Sequence, residues 1–265
     1  MRMITGATRL YAIVGDPIAQ AKSPQIYNAR LEAAGVDAAL VPWRLSAEAF
    51  DIGMRGLICA GNLDGLVFTY PHKQAALAFA DIVTQRARQV GACNAMRRRG
   101  DGRWEADMFD GVGLVRALQD AGRPVAGETV WLVGAGGAGR AIAFALAEAG
   151  ARRLHVTDIE IERSACIVED VTAAHPQCEA RASTPRLEEI GVLINATTVG
   201  LDGGDASPID SVAGLPAGLA VVDIVPREDT ALLALARRSG CRTVSGAAMI
   251  AGQAQAVLDF FADAG

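Results

Sequence analysis

The chain has 265 residues, 51% of them hydrophobic and 21% charged, with a formal net charge of -5. Such a chain can bury one large core or two medium ones, and because no run of like charge exceeds the arginines at 97–99, nucleic-acid partners and membrane attraction are poorly supported. The N-terminus lacks a signal-peptide core, and no stretch reaches about 18 unbroken apolar residues. Five scattered cysteines and only three histidines predict reduced thiols, no metal site and a cytoplasmic location.

The first part of the chain alternates strand-like and helix-like segments. The predicted strands are residues 10–17, 38–43 and 65–70, and the predicted helices are residues 23–35, with Ser23 as N-cap, and 46–62. Two short helices over 71–90 are expected before a hairpin that turns at Gly100-Asp101-Gly102. These patterns predict an α/β domain with a mixed sheet over residues 1–106.

The second part repeats strands and helices in the manner of a parallel sheet. A helix over 110–122 is followed by a strand-turn-helix unit over 128–150, and the further predicted strands are 153–158, 179–183, 192–196, 219–225 and 241–245. This alternation predicts a doubly wound domain over residues 107–246. The last predicted helix, 247–264, has no strand after it, so we expect residues 247–265 to pack back on the first domain.

The stretch "VFTYPHK" (67–73) carries an apolar strand through Pro71 to a lysine. Pro71 near the first helical position would place Lys73 in the first turn of a helix. The helix dipole disfavours a cation there by roughly 0.3–1 kcal/mol. A role other than helix stability is therefore expected for Lys73.

A glycine-rich loop stands between a strand and an Ala-rich helix in "VWLVGAGGAGRA". Gly134, Gly136 and Gly139 have the G-x-G-x-x-G spacing, which suits a tight turn, close approach of a pyrophosphate and close helix packing. The predicted cofactor-binding loop is Gly134, Ala135, Gly136, Gly137, Ala138 and Gly139. A merely structural turn is the alternative. In its strand-turn-helix context the motif predicts a Rossmann-type NAD(P)-binding domain.

Asp158 ends the next predicted strand, about 20 residues after Gly139, where an acid accepts the ribose hydroxyls of NAD. Its charge would repel the 2′-phosphate of NADP. NAD is thus favoured over NADP, although Arg152, Arg153 and Arg163 are near in sequence and keep NADP open. The structural alternative makes Asp158 the N-cap of the following helix.

Seven segments in order resemble the shikimate/quinate dehydrogenase family. They are "VGDPIAQAKSPQIYN", "GLVFTYPHK", "GACNAM", "DMFDGVGL", "INATTVGL", "VVDIVPREDTALL" and "MIAGQAQA", and the glycine loop stands in its expected place after the fourth of them. The resemblance implies a substrate domain, a Rossmann-type domain and hydride transfer between a secondary hydroxyl or ketone and the nicotinamide. It further implies that the family's phosphate clamp for NADP is replaced here by Thr157-Asp158-Ile159.

The resemblance also implies roles for individual residues. Lys73 and Asp110 match the catalytic lysine and aspartate. The substrate-binding positions are Ser23, Thr69, Asn94 and Gln253, and the positions on the cofactor side are Asn195, Ala196 and Thr197. Each has a structural alternative: Lys73 as a solvated lysine, Asp110 as a helix N-cap, Asn94 as a turn residue and Gln253 as an ordinary polar residue.

Several positions depart from the family pattern. Ala21 replaces a serine or threonine, Val67 an asparagine, Ala95 a threonine, and Met108 with Phe109 an asparagine and a threonine. The tyrosine expected between Asp223 and Thr230 is missing too. In the family, the equivalents of Ala21 and that tyrosine help to hold the substrate carboxylate, so the pocket is expected to prefer another substrate.

The first hypothesis is therefore an NAD(P)-dependent dehydrogenase of a shikimate-like cyclic hydroxy acid or polyol. In it, Lys73 stabilises the developing alkoxide and moves the hydroxyl proton, and Asp110 orients the lysine ammonium and the same hydroxyl. A true shikimate or quinate dehydrogenase is the nearest rival. The alternative of another class is a non-catalytic sensor of a dinucleotide or metabolite. The expected partners are a small-molecule substrate and a second copy in a homodimer, without nucleic acid or membrane.

Overall fold

A computed structural model describes residues 4–204, 206–209, 214–227 and 229–263. The chain divides into two compact units, Met1–Phe109 with Ala254–Gly265, and Asp110–Gln253. Each unit is built on one six-stranded sheet. No helix among the described residues is long and apolar enough to cross a membrane.

The first unit contains a mixed sheet, as predicted. Its strands are β1 (Arg9–Gly15), β2 (Ala38–Arg44), β3 (Leu63–Phe68), β4 (Ile82–Val83), β5 (Ala95–Arg98) and β6 (Trp104–Asp107), in the order β2-β1-β3-β5-β6-β4. Its helices are α1 (Ser23–Ala33), α2 (Phe50–Ile58) and α3 (Gln85–Val90), with a short 3₁₀ helix at Ala75–Phe79. The three strands β2, β1 and β3 run parallel, whereas β5 pairs antiparallel with β3 and β6. The buried run of β1, with continuous apolar residues from Tyr11 to Val14, is typical of a strand covered on both faces.

The second unit contains the predicted parallel, doubly wound sheet. Its strands are β7 (Thr129–Val133), β8 (Arg153–Thr157), β9 (Glu179–Arg181), β10 (Val192–Asn195), β11 (Ala220–Asp223) and β12 (Arg242–Ser245). The helices are α4 (Asp110–Asp120), α5 (Gly137–Glu148), α6 (Ile161–Ala174) and α7 (Ala231–Arg238), and a 3₁₀ turn spans Leu187–Glu189. The spatial order β12-β11-β10-β7-β8-β9 reverses direction between β7 and β10. In such sheets ligands bind at the carboxyl ends of the strands beside that reversal.

The last helix, α8 (Gly246–Ala262), contributes to both units. In the first unit the Phe261 ring stacks on Tyr11 with ring centroids 4.7 Å apart. A Cβ on Gly65 would lie 2.8 Å from the Phe261 ring, so this position needs a glycine. The C-terminal helix thus packs back on the first sheet; residue 264 of the predicted helix lies outside the described residues.

Two local predictions in the first unit are wrong. Ser23 is the first residue of α1 and not its N-cap, which is Lys22, without a capping side-chain hydrogen bond. The helix predicted over 46–62 is shorter, because residues 47–49 form a turn and α2 ends at Ile58. The Ser-Pro signal placed the start of α1 one residue too late, whereas the apolar periodicity of residues 46–62 extended beyond both ends of α2.

The prediction that Lys73 lies in the first turn of a helix is also wrong. Residues 70–74 form turns, and the 3₁₀ helix begins only at Ala75 with Gln74 as its N-cap. Packing of His72 explains the difference: its ring is buried against Phe50 at 4.2 Å between centroids, and its Nε2 lies 2.7 Å from the Leu45 carbonyl oxygen. Lys73 therefore lies in an anchored turn, and the helix-dipole argument does not apply to it.

Candidate active site

Four predicted site residues of the first unit lie near one edge of its sheet. The carboxyl ends of β1 and β3 meet the amino end of β5 there, because β5 runs antiparallel to β3. The N–H of Thr69 donates to the Val14 carbonyl oxygen at 3.0 Å, and the N–H of Phe68 donates to the Asn94 carbonyl oxygen at 2.8 Å. Ser23, which is buried, begins the helix that follows β1.

Lys73 is tied to Asn94 through the backbone. The Lys73 carbonyl oxygen accepts a hydrogen bond from the N–H of Cys93 at 2.9 Å, and Asn94 is the next residue. Burial and, to a smaller extent, the Asp107 carboxylate raise the pKa of the Cys93 thiol, and Lys73 acts in the opposite direction; the net result is a pKa of about 12. The thiol therefore stays protonated between the two charges, while the half-buried Lys73 supplies the positive charge of this edge.

Asn94 positions the chain just before Asp110. Its Oδ1 accepts a hydrogen bond from the N–H of Phe109 at 2.8 Å, so the turn-residue role left open by the sequence is part of its function in the fold. The neighbouring Asp107 carboxylate accepts hydrogen bonds from Thr84 Oγ1 at 2.6 Å and from the Met108 N–H at 2.7 Å, and it pairs with Arg86 at 2.5 Å. These bonds order the segment that leads to the predicted catalytic aspartate.

In the second unit Asp110 and Gln253 lie on two helices that pack closely. Asp110 is the first residue of α4 and is buried, as is Gln253 on α8. A Cβ on Gly113, one turn after Asp110, would lie 2.6 Å from the Met249 carbonyl oxygen and 2.7 Å from the Gln253 Cβ. Only a glycine at position 113 allows α4 and α8 to approach this closely. Asp110 and Gln253 therefore lie on one closely packed pair of helices.

The positions that depart from the family pattern are buried and partly adjacent. Val67 on β3 pairs directly with Ala95 on β5, so two polar side chains of the family pattern are replaced by an apolar cross-strand pair. Met108 and Phe109 are buried as well, and the Phe109 ring lies 4.9 Å from the Arg86 guanidinium and 5.3 Å from the Phe260 ring. Buried apolar side chains that pack on their neighbours therefore stand where the family pattern has hydrogen-bonding side chains.

The glycine loop has the geometry predicted for it. Gly134 has φ +105°, a conformation that favours glycine, and a Cβ there would lie 2.7 Å from the Ala196 carbonyl carbon. A Cβ on Gly139 would lie 2.0 Å from the Gly134 carbonyl oxygen. Gly136 and Gly137 instead face open space, and no side chain caps α5. The helix N-terminus therefore keeps backbone N–H groups for a phosphate.

Asp158 is bound to the glycine loop and is not the N-cap of α6, a role that falls to Glu160. Its Oδ2 accepts from the Ala135 N–H at 2.6 Å and its Oδ1 from the Glu160 N–H at 2.9 Å. Arg152 donates to Thr129 and Arg153 pairs with Glu179, both at the opposite end of β8. Of the three nearby arginines, only Arg163 lines the same cleft as Asp158, and it pairs with Glu160 at 2.9 Å.

A cleft of about 710 Å³ lies beside these residues in the second unit. Its lining includes the predicted residues Gly134, Gly136, Asp158, Ala196 and Thr197. Thr157, Ile159 and Arg163, which the sequence analysis named together with Asp158, also line the cleft. The lining residues not singled out from the sequence are Trp131, Val133, Thr184, Pro185, Leu187, Thr198, Val199, Pro208 and Ile209. The uncapped N-terminus of α5, the glycines that face open space, and Asp158 as an acceptor for the ribose hydroxyls fit a dinucleotide.

Asn195 does not line this cleft but forms hydrogen bonds within the turn that does. It is fully buried, and its Oδ1 accepts hydrogen bonds from the Thr197 N–H at 3.0 Å and the Thr197 hydroxyl at 2.7 Å. Thr197 Oγ1 in turn accepts from the Val199 N–H at 3.0 Å. Of the predicted group, Ala196 and Thr197 line the cleft, whereas Asn195 shapes the turn that carries them.

Comparison with known proteins identifies the chain. Residues 13–96 match the model of the shikimate dehydrogenase substrate binding domain. A shikimate dehydrogenase (NADP(+)) of Symbiobacterium thermophilum is 34% identical, covering 97% of this chain and 90% of the relative, and one of Caulobacter vibrioides is 38% identical, covering 95% and 88%. The chain belongs to the shikimate dehydrogenase family.

Two solved structures share the fold over nearly the whole chain. A shikimate 5-dehydrogenase from Listeria monocytogenes, in complex with shikimate and NAD, is 26% identical with a TM-score of 0.89, covering 99% of this chain and 94% of the other. A 5-ketofructose reductase of Gluconobacter is 28% identical with a TM-score of 0.86, covering 96% and 92%. The predicted family and fold class are confirmed. As a shikimate dehydrogenase-family member, the protein is an oxidoreductase that acts on a CH–OH group with NAD or NADP.

One buried acid of this shikimate dehydrogenase-family chain had no predicted role. Asp223 is the last residue of β11, just as Asn195 is the last residue of β10 and Asp158 directly follows β8. A polar residue at the end of an apolar run is the sequence signal that could have identified it. Burial raises the pKa of the Asp223 carboxyl, and the hydrogen bonds of Thr230, Val225 and Asn195 act in the opposite direction. The charged form is therefore disfavoured in the folded protein.

This raised pKa predicts how Asp223→Asn changes stability with pH. The stability that Asp223 contributes is fully present below its unfolded pKa and is lost as pH rises through its folded pKa, whereas asparagine does not titrate. The Tm of the variant relative to the wild type should therefore increase as pH is raised from 4 to 7 in thermal melts. Asp51→Asn is the control with opposite sign, because Arg55 lowers the pKa of Asp51. A flat difference for Asp223→Asn contradicts the prediction.

Proposed function

We propose that the protein interconverts a secondary alcohol and a ketone on a polyhydroxylated substrate that carries no carboxylate. The carrying observation is that Lys73, Thr69 and Asn94 lie together at one sheet edge while Ala21, Val67 and Ala95 remove polar groups of the family pocket. The similarity to a 5-ketofructose reductase supports a substrate without a carboxylate. The altered positions argue against shikimate, because pockets built to hydrogen-bond a polar group discriminate strongly.

Lys73 is proposed to hold and move the proton of the reacting hydroxyl at its Nζ, with Asp110 orienting the same hydroxyl. Oxidation of an alcohol requires loss of that proton as the carbon loses hydride, and bound NAD or NADP supplies the hydride acceptor. The chain contains only two lysines, Lys22 and Lys73, against 23 arginines. Because a guanidinium does not lose its proton in proteins, lysine is the basic residue that suits this role.

NAD is proposed as the preferred cofactor, bound by the glycine loop and Asp158. Among the described cleft residues Asp158 is the one acid and Arg163 the one basic side chain, and the charge of Arg163 is already paired with Glu160, which does not line the cleft. A 2′-phosphate would therefore meet net negative charge. The curated relatives are named for NADP, so this preference is specific to the residues of this chain.

Asp158→Asn tests the preference for NAD. The amide keeps an acceptor for the Ala135 N–H but removes the charge, so the ratio of kcat/KM for NAD to that for NADP should fall by about 10- to 100-fold, the worth of one or two hydrogen bonds to a charged group. Initial rates with both cofactors measure this ratio. Asp120→Asn, which removes an exposed acid of α4 paired with Arg116, is the matched control and should leave it unchanged. A wild-type preference for NADP contradicts the proposal.

A substrate panel tests the proposed function. Shikimate and quinate are compared with cyclic polyols, acyclic polyols and hydroxyketones lacking a carboxylate, at alkaline pH for oxidation and neutral pH for reduction, with NADH and NADPH absorbance recorded in parallel. The highest kcat/KM is expected for a compound without a carboxylate. A preference for shikimate or quinate overturns the substrate proposal, and no turnover with NADH binding intact favours the sensor alternative.

The predicted location and assembly are proposals as well. Five free cysteines among the described residues support a reducing, cytoplasmic environment. A homodimer is the proposed assembly, and light scattering after size-exclusion chromatography measures it directly.

A further inference from the structure

Asp223 lies directly beside the residue that shapes the cleft turn. Asn195 and Asp223 are register partners on the parallel strands β10 and β11. The Asn195 amide nitrogen donates to Asp223 Oδ1 at 2.9 Å, and the Val225 N–H donates to the same oxygen at 3.1 Å. Asp223 thus holds the nitrogen end of the Asn195 amide while Thr197 holds its oxygen end.

The burial of Asp223 calls for a reason other than stability. The residue has 0% exposure, and its Oδ2 makes no hydrogen bond of normal geometry within the described part of the chain, although the nearby Thr230 hydroxyl favours the charged carboxyl. A buried polar atom without a partner costs about 1–3 kcal/mol. An apolar side chain would avoid that cost, but it would leave the Asn195 amide nitrogen with only its longer hydrogen bond, to the Val199 carbonyl oxygen at 3.4 Å.

The orientation of the Asn195 amide decides the shape of the turn 195–199. An inverted amide would direct N–H groups toward the Thr197 N–H, replacing an attraction with a repulsion. The turn also packs on the glycine loop, since a Cβ on Gly134 would lie 2.9 Å from Thr197 Cγ2. Ala196, Thr197, Thr198 and Val199 all line the cleft, so a displaced turn changes the cleft wall.

We propose that Asp223 is a positioning residue of the dinucleotide site, which fixes the orientation of the Asn195 amide and thereby holds the turn 195–199 against the glycine loop. Asp223 itself is buried and does not line the cleft. The proposal depends on dinucleotide binding by the second unit and not on the identity of the substrate.

Binding of NADH without substrate separates this role from the chemistry. Asp223→Ala should raise the Kd of NADH, measured by isothermal titration calorimetry, about tenfold, as expected when the shorter of the two buried hydrogen bonds of the Asn195 amide nitrogen is lost. Asp223→Asn keeps the acceptor oxygen that serves Asn195 and Val225, so it should restore the Kd to within about twofold of wild type. Thr129→Val is the structural control, because it removes a buried hydroxyl bonded to Arg152 at the far end of β7. It should lower Tm without changing the Kd.

A double-mutant cycle tests the route through Asn195. Asp223→Ala should add no further loss of affinity to Asn195→Ala, because the first residue acts through the second. Wild-type affinity in Asp223→Ala, equal weakness of Asp223→Asn and Asp223→Ala, or additive losses in the cycle each overturn the proposal. If Asp223→Ala does not fold, Asp223→Ser, too short to reach the Asn195 amide, is judged by the same criteria.

Discussion

Lys73→Ala is expected to lower kcat by about 10²- to 10⁴-fold, the usual contribution of a positioned proton-transfer group. The affinity for NADH should stay unchanged, because the described cleft is lined by residues of the second unit and Lys73 belongs to the first. Steady-state kinetics with the best substrate of the panel and calorimetry with NADH measure the two quantities. Loss of turnover with intact NADH binding supports a proton-transfer role for Lys73.

Two further variants separate the charge of Lys73 from its proton. Lys73→Arg keeps a cation that does not deprotonate, so it should be nearly as slow as Lys73→Ala. Lys22→Ala changes the other lysine, which is exposed at the N-cap of α1, and should keep the kcat of the wild type. Unaltered turnover in Lys73→Ala, or full activity in Lys73→Arg, contradicts the assignment of the proton to Nζ.

Gly139→Ala should damage the dinucleotide site even before a cofactor binds. Its methyl group would lie 2.0 Å from the Gly134 carbonyl oxygen, so the loop or α5 must shift. Overpacking of this kind costs about 1–3 kcal/mol, which corresponds to a fall in Tm of about 2–12 °C for a chain of this size. The affinity for NADH should decrease about 10- to 100-fold, because NADH binding would have to restore the loop conformation at a similar cost in free energy.

Gly136→Ala is the matched control for that loop. A Cβ there would meet no atom within 4 Å, so Tm should not change, yet the methyl group would enter the cleft that Gly136 lines. Weaker NADH binding at unchanged Tm is therefore expected. If both variants bind NADH like the wild type, the glycine loop is a structural turn and does not bind the pyrophosphate.

The sequence alone determined most of the fold, because its signals are local. Apolar runs that end at glycine, proline or a polar residue predicted both sheets, and the Gly100-Asp101-Gly102 turn predicted the hairpin of β5 and β6. The glycine loop and Asp158 could be paired from spacing, since a strand, a tight turn and a helix fix where the next strand ends. The structure joins them through the Ala135 N–H.

Positions that depend on long-range packing were decided only by the tertiary structure. His72 packs on Phe50, 22 residues earlier in the chain, and this contact places Lys73 in a turn where the local pattern predicted a helix. Arg152 and Arg153 are near Asp158 in sequence, but a strand rises about 3.3 Å per residue, so they lie at the other end of β8 and only Arg163 lines the cleft.

The same reason explains the residues that the sequence did not reveal. Val67 and Ala95 are 28 residues apart, and only the pairing of β3 with β5 shows that their two apolar replacements form one change in the pocket. Asp223 and Asn195 likewise become partners through the register of β10 and β11. Local periodicity carries the type of each element, whereas strand pairing and side-chain packing decide which distant residues share a site.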